Sequence, residues 1–252
     1  IYNYKELKNE LAYKFQFHSQ SDTEVLLRAY EQWGVGCLNR IVGMFSFAIW
    51  DNKREALFVA RDRLGIKPFY YQIKDHQFAF ASELRSLLAS GFIDKSINPT
   101  GLYHYLSFGH SKAPETIVNS VHELKPGHYL WIDKNGNWEE KEYWNPFNKN
   151  ESPVNEMEIH EQVRTVIEES VRCRSISDVP LGAFLSGGID SSVVVGSLAN
   201  ISDDPITTLT IGFQEKEFDE SEFSQEVSDR FKTNHHLLRL GEKQLLQALP
   251  SS

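Results

Sequence analysis

The sequence contains little cysteine and no long hydrophobic run. Only Cys37 and Cys173 occur among the 252 residues. The two cysteines are far apart in the sequence and lack the spacing of metal ligands, which suits a reducing compartment and no disulfide framework. No apolar run approaches the roughly 20 residues that span a bilayer. We therefore expect ordinary buried thiols and no membrane partner.

Basic residues are scarce relative to acidic ones. The chain has 26 lysines and arginines against 35 aspartates and glutamates, which gives a formal net charge of -9. Such a protein repels a phosphate backbone, so we expect no nucleic-acid partner. A hydrophobic content of 40% is sufficient for one large or two ordinary domains with buried cores.

Hydrophobic periodicity predicts an α+β domain over residues 1–145. Helical patterns cover residues 1–13, 21–33, 82–88 and 99–108. Strand patterns with a period of two cover residues 45–50, 56–60, 68–73 and 77–81. Two further strands between residues 121 and 144 flank Asn135-Gly136, a strong hairpin signal. These elements predict a two-layer α+β lobe built on antiparallel sheets.

The composition changes after residue 145. Residues 146–158 are polar, contain two prolines and show no periodicity, so we interpret them as a linker. Residues 159–252 then alternate between helical and strand patterns, with strand patterns at 179–185 and 207–213 on either side of a helix. A helical crossover between like strands predicts a βαβ unit and an α/β domain with a parallel sheet.

The first strand of that unit leads into a glycine turn at residues 186–192, with the sequence S-G-G-I-D-S-S. Adjacent glycines let backbone N–H groups approach an anion, and the following helix directs unpaired amides to the same place. The turn lacks the lysine of GxxxxGK[ST] and the GxGxxG spacing. An ordinary strand-to-helix connection is the alternative, but six fixed residues in seven favour a phosphate site.

The pattern S-G-G-x-D-S-S resembles the PP-loop of ATP pyrophosphatases, which cleave ATP to AMP and pyrophosphate. Four segments of the first domain are similar to glutamine-hydrolysing asparagine synthetases of the B type. They are I-Y-N-Y at 1–4, G-M-F-S-F-A at 43–48, R-D-R-L-G-I-K-P-F-Y-Y at 61–71 and F-A-S-E-L at 80–84. The resemblance covers essentially the whole chain and implies an Ntn-hydrolase-like glutaminase followed by a PP-loop domain.

The resemblance implies a two-site enzyme that uses glutamine, aspartate, ATP and Mg²⁺. The first domain would hydrolyse glutamine, and ammonia would convert β-aspartyl-AMP to asparagine in the second. Residues 21–24 match the family's S-D-x-E, so Asp22 would bind the glutamine α-amino group; the alternative is a first-turn acid that stabilises its helix. The matching ATP-binding positions are Leu185, Ser186, Gly187, Gly188, Asp190, Ser191, Ser192 and Ile211.

For three of these residues, position in the sequence alone suggests a function. Leu185 and Ile211 end neighbouring strands and could form an adenine slot, or they could simply pack in the core. Asp190 could hold Mg²⁺ against the pyrophosphate oxygens, because Mg²⁺ usually takes one or two carboxylates together with substrate phosphates. The alternative is that Asp190 only caps the helix. A requirement for ATP, together with the cysteine usage, predicts a cytoplasmic enzyme.

The chain departs from the family pattern at both ends. The family's glutaminase uses an amino-terminal cysteine as nucleophile, whereas position 1 is Ile1, so we assign no catalytic nucleophile in this chain. The second pyrophosphate segment, S-G-E-G-A-D-E, does not occur. We expect an internal fragment that is inactive alone.

Other functions and the oligomeric state stay open. The same chemistry on another carboxylate, as in sugar-acid amidation or β-lactam closure, is one alternative. A non-catalytic nucleotide-binding relative is another. A tRNA-thiolating enzyme is disfavoured by the acidic balance. A homodimer is compatible with the sequence.

Overall fold

The computed structural model describes residues 1–147, 155–215, 217 and 219–248. The chain divides into two compact units, Ile1–Asn150 and Glu151–Ser252, and each is described by itself. Within the predicted linker, residues 148–154 lie outside the described residues. The first helix of the second unit begins at Glu156, inside the segment interpreted as linker.

The first unit is built from two antiparallel sheets and short helices. Its helices are α1 Tyr4–Leu11, α2 Asp22–Trp33, α3 Leu84–Ala89 and α4 Pro99–Phe108, with a 3₁₀ segment at Gly34–Asn39. Its strands are β1 Ser46–Asp51, β2 Ala56–Arg61, β3 Tyr70–Lys74, β4 Gln77–Ala81, β5 His122–Glu123, β6 His128–Asp133 and β7 Trp138–Glu142. One sheet has the order β1-β2-β6-β7 and the other the order β4-β3-β5. The antiparallel prediction is confirmed.

The first unit has four layers rather than the two that the sequence predicted. Side chains alternate across strands, so Phe58 of β2 packs with α1 and α2 on one face of the larger sheet. Val59 packs on the other face against Phe69 and Tyr71 of the smaller sheet. Leu87 of α3 packs beside Tyr70, on the outer face of that smaller sheet. The layer order is therefore helix, sheet, sheet, helix.

Capping explains where α2 begins. The Ser21 side chain accepts a hydrogen bond from the Thr23 N–H at 3.1 Å, as expected of an N-cap. Glu24, however, does not return to the Ser21 amide as in a capping box. Its carboxylate accepts from the His18 and Ser19 amides at 3.0 and 2.7 Å and from the Ser19 hydroxyl at 2.6 Å. These bonds lower the pKa of Glu24 to about 2.

A buried ion network explains the segment at 61–71 that resembles the family. Asp62, 1% exposed, accepts hydrogen bonds from four backbone amides, those of Phe45, Leu64, Ile66 and Lys67. Arg61 pairs with Glu123 at 2.8 Å. Since a buried charge is tolerated only when paired and hydrogen-bonded, this network fixes the loop between β2 and β3.

The second unit is a parallel sheet with helices. Its elements are α5 Glu156–Arg174, β8 Gly182–Phe184, α6 Ile189–Ile201, β9 Thr207–Phe213, α7 Ser221–Phe231, β10 Asn234–Leu240 and α8 Glu242–Ala248. The order is β10-β9-β8, and both pairs are parallel. The predicted parallel sheet is confirmed. It places the glycine turn where the first strand ends and α6 begins.

Candidate functional site

The glycine turn connects the carboxyl end of β8 to the start of α6. The Leu185 amide donates to the Leu209 carbonyl at 2.9 Å, which extends the pairing between the strands by one residue beyond β8. Gly188 is the N-cap of α6 and has extended backbone. Because glycine has no side chain to cap the helix, no side-chain cap satisfies the first-turn amides, as in known anion sites.

The serines of the turn hold its shape. The Ser186 and Ser191 hydroxyl oxygens lie 3.0 Å apart, and Ser186 Oγ accepts from the Gly188 amide at 3.2 Å. The Ser192 hydroxyl donates to the Gly188 carbonyl at 2.7 Å. The predicted ATP-binding serines therefore contact the turn itself, and Ser186 and Ser191 also line a cavity. Their role in nucleotide binding stays a prediction.

Gly187 is required by its surroundings. Its φ is +84°, and a Cβ built on it would lie 2.5 Å from the Phe223 Cβ and 2.7 Å from the Ser224 backbone nitrogen. The first turn of α7 therefore packs directly on the glycine turn. The starts of α6 and α7 meet here, and both helix dipoles favour an anion at this place. The sequence gives no local signal for Phe223 and Ser224.

A cavity of about 260 Å³ opens beside the turn. It is lined by Phe184, Leu185, Ser186, Ser191, Leu209, Thr210, Ile211, Phe213 and Glu220. The cavity thus brings together four of the predicted ATP-binding residues. Its volume is slightly below the range of about 300 to 1,000 Å³ typical of drug-sized ligands, which suits a nucleobase.

Leu185 and Ile211 occupy different positions in this cavity. Leu185 is 1% exposed, and its carbonyl accepts a hydrogen bond from the Thr210 hydroxyl. Ile211 is 50% exposed, and Phe184, which the sequence analysis did not single out, is 77% exposed. Core packing therefore explains the burial of the Leu185 side chain, whereas Ile211 and Phe184 offer apolar surface to a ligand.

Asp190 lies in the first turn of α6 and is exposed. Among the residues that the structure describes, its carboxylate has no hydrogen-bond or ion-pair partner, and Gly188 rather than Asp190 is the N-cap. The described residues contain no group of three or more His, Cys, Asp or Glu arranged to hold a metal ion. A role of Asp190 in Mg²⁺ binding stays a prediction.

Asp22 lies in the first unit, at the first position of α2. Ser21 caps the helix, so the Asp22 carboxylate is not used for capping. Asp22 Oδ2 lies 2.8 Å from the Ile1 nitrogen, which is an ammonium group in this chain. The carboxylate is half-exposed, and its role in binding glutamine stays a prediction.

Cys37 is unsuited to act as a nucleophile. Cys37 is fully buried, and desolvation raises the pKa of its thiol to about 12. Because the thiolate is the reactive form, Cys37 is inert. Cys173 lies in α5 and is half-buried.

Comparison with known proteins gives the class of each part. The family described as glutamine amidotransferase domain matches residues 1–144. The chain belongs to this family, since the match covers more than half of it. The family described as asparagine synthase matches residues 162–252. No described helix combines the length and apolar character needed to cross a membrane.

Individual relatives resemble the chain across both parts. Asparagine synthetase [glutamine-hydrolyzing] 3 of Bacillus subtilis is 35% identical over 99% of this chain and 43% of its own length. Putative asparagine synthetase [glutamine-hydrolyzing] 2 of Methanocaldococcus jannaschii is 36% identical over 94% of this chain and 46% of its own. Amidase chry2 of Gibberella zeae is 31% identical over 98% of this chain and 39% of its own length. The chain spans less than half the length of these relatives.

Proposed function

We propose that the chain is part of an ATP-dependent amidotransferase that makes asparagine from aspartate with ammonia released from glutamine. The observation that carries this proposal is the pairing of a glutamine amidotransferase match at residues 1–144 with an asparagine synthase match at residues 162–252. Each match coincides with a compact unit that has its own candidate site. The cysteine usage and the use of ATP favour the cytoplasm.

The first unit is proposed to bind and hydrolyse glutamine. Its layer order of helix, sheet, sheet, helix supports an Ntn-hydrolase-like fold, and Asp22 is proposed to hold the α-amino group of the substrate. A carboxylate that accepts from an ammonium forms a charge-assisted hydrogen bond, which is about twice as strong as a neutral one. We assign no nucleophile within this chain.

The second unit is proposed to activate aspartate at its glycine turn, acting as a PP-loop. The β-carboxylate oxygen of aspartate attacks the α-phosphorus of ATP, and pyrophosphate leaves. Ammonia then attacks the acyl carbon of β-aspartyl-AMP, loses a proton and expels AMP. Amides at the starts of α6 and α7 favour the phosphate charge, and Asp190 would hold Mg²⁺, which neutralises the phosphate oxygens.

Aspartate-dependent exchange of labelled pyrophosphate into ATP tests the adenylate step. We expect the protein expressed from the gene that encodes this chain to catalyse exchange when aspartate and Mg²⁺ are present, without glutamine or ammonia. Omitting aspartate is the control. Asparagine formation accompanied by ADP and phosphate, with no exchange, would contradict the β-aspartyl-AMP intermediate.

A second candidate keeps this chemistry and changes the acceptor. It is favoured by the resemblance to a relative named an amidase, which matches the chain over a similar span. Sugar acids and β-amino acids that close to β-lactams are the carboxylates to offer in place of aspartate in the exchange assay. Exchange with one of these and none with aspartate would select this candidate. Absence of exchange with every acceptor would favour a non-catalytic nucleotide-binding protein.

A further inference from the structure

A second cavity lies in the first unit, on the smaller sheet. It has a volume of about 370 Å³ and is lined by Gln72, Lys74, Asp75, Gln77, Phe78, Ala79 and Phe92. Most of these residues belong to β3, β4 and the turn between them, and Phe92 comes from the segment after α3. None of them belongs to the sites described above.

Gln72 provides a buried polar group at this cavity. It lies on β3, the central strand of the smaller sheet, and is only 6% exposed. Within the described ranges, its side-chain amide has no hydrogen-bond partner. The amide atoms are accessible to solvent rather than enclosed, and the amide offers both a donor and an acceptor. A ligand in the cavity can satisfy both groups.

Two unpaired charges of opposite sign lie next to this amide along the chain. Lys74 ends β3 and Asp75 follows it, both are exposed, and neither side chain has an ion-pair partner in the described part of the chain. Asp75 and His76 form the two-residue turn to β4, with φ of +50° and +62°. His76 Nδ1 lies 3.0 Å from the Asn135 carbonyl oxygen, which fixes this turn against the β6–β7 turn.

The chemistry of the lining defines the ligand. A primary amide pairs with another carboxamide through one donated and one accepted hydrogen bond. Lys74 and Asp75 match the carboxylate and ammonium of an α-amino acid, while Phe92, 71% exposed, offers apolar surface for the methylene groups. We propose that this cavity binds a free amino acid with a side-chain amide, asparagine or glutamine.

This amino-acid cavity is distinct from the Asp22 site. Gln72 shares its face of β3 with Tyr70, which packs towards α3. Asp22 belongs to α2, which packs on the outer face of the other sheet. Both sheets, whose faces pack about 10 Å apart, therefore lie between the two places. The proposal rests on this cavity alone and does not depend on the proposed enzymatic function.

Calorimetric titration of the 252-residue chain with asparagine, and separately with glutamine, tests the proposal. The variants are Q72M, which keeps the side-chain length and removes the amide, K74M, and D75N. Asn tolerates positive φ, so D75N removes the charge while keeping the turn. K53M, on the β1–β2 turn, is the control for loss of a surface lysine, and D22N removes the carboxylate of the other site.

We expect one molecule of asparagine or glutamine to bind per chain outside the Asp22 site. Affinity should fall about tenfold or more in Q72M, K74M and D75N, as expected when a charged or buried hydrogen bond is lost. It should be unchanged in K53M, and asparagine binding should survive D22N. Thermal unfolding of Q72M checks its folding, and K74M and D75N change exposed residues only.

Two outcomes would overturn the proposal. One is the absence of binding of both amino acids to the unaltered chain up to about 10 mM, which would mean that water satisfies the Gln72 amide. The other is binding that D22N abolishes and that Q72M, K74M and D75N leave unchanged, which would place the amino acid at the Asp22 site.

Discussion

Gly187 lies directly against Phe223, with room for no side-chain atom between them. A Cβ on Gly187 would come within 2.5 Å of the Phe223 Cβ, and the backbone of Gly187 is in the left-handed region, with φ of +84°. Two independent constraints therefore require glycine at this position. The contact also determines which helix lies beside the proposed phosphate site.

Replacing Gly187 by alanine should damage the second unit. We expect G187A to lower its free energy of unfolding by roughly 2 to 5 kcal/mol, the sum of left-handed strain of about 1 to 2 and overpacking of about 1 to 3. ATP binding should be lost because α7 must move. Denaturant unfolding and equilibrium binding of Mg²⁺-ATP are the measurements.

Gly109 offers a matched control for this substitution. It has nearly the same φ, +76°, but a Cβ there would meet nothing within 4 Å. G109A should cost only the strain, about 1 to 2 kcal/mol in the first unit, and leave ATP binding unchanged. Equal effects of G187A and G109A on ATP binding would show that the contact with Phe223 is unimportant.

Asp190 should matter for Mg²⁺-dependent binding and little for stability. We expect D190N to weaken ATP binding in the presence of Mg²⁺ by about tenfold or more, since one carboxylate ligand of the metal is lost. Its stability should change by less than about 1 kcal/mol, the size of a first-turn charge effect. E222Q removes the first-turn acid of α7 and is the control. If D190N binds Mg²⁺-ATP with unchanged affinity, Asp190 acts only at the start of its helix.

Asp22 and Glu24 should separate substrate binding from folding. D22N should raise the KM for glutamine hydrolysis by the gene product about 10- to 100-fold, because a charge-assisted hydrogen bond is lost. Its free energy of unfolding should change by less than about 1 kcal/mol, the size of a first-turn charge effect, since Ser21 caps α2. E24Q should lower the melting temperature and leave the KM for glutamine unchanged, because the Glu24 carboxylate accepts hydrogen bonds from the His18 and Ser19 amides. A KM for glutamine that D22N leaves unaltered would remove Asp22 from the glutamine site.

His235 should make the second unit sensitive to acid. Its Nδ1 lies 2.9 Å from the Thr208 hydroxyl, and burial, followed by His236, lowers its pKa below the usual 6.5. Below pH 6.5 the unfolded chain therefore binds more protons, so stability should fall as the pH decreases from there. Denaturant unfolding at pH 7 and pH 5.5 measures this loss. It should be smaller in H235N, and an equal loss in both proteins would rule out His235 as its source.

Local signals in the sequence located most elements. The helix predicted at 99–108 is α4, because Asn98 caps its start, Pro99 occupies its first position and Gly109 ends it in the left-handed conformation. Asn135-Gly136 marks the β6–β7 turn, where Asp133 accepts from the amides of Asn135 and Asn137. Each of these signals acts within a few residues, so the sequence displays it directly.

Long-range contacts could not be predicted in the same way. Gly187 and Phe223 are 36 positions apart, and no sequence pattern near either residue predicts their contact. The four layers of the first unit depend on which face of each sheet is covered, and period-two alternation leaves that open. Glu24 has capping-box spacing, yet its carboxylate accepts from the upstream His18 and Ser19 amides, and the Ser21 amide donates to the Ser19 hydroxyl instead. The burial of Leu185 likewise depends on packing between strands that are far apart in the sequence.

Tracing nitrogen from glutamine to asparagine tests the proposed synthesis directly. The gene product is supplied with ATP, Mg²⁺, aspartate and glutamine labelled with ¹⁵N in its amide, and ¹⁵N and pyrophosphate are measured together. We expect ¹⁵N in the side-chain amide of asparagine, with one pyrophosphate released per asparagine formed. Hydrolysis of glutamine with no label in asparagine would contradict aspartate as the acceptor, and asparagine formation without pyrophosphate would contradict the proposed chemistry at the glycine turn.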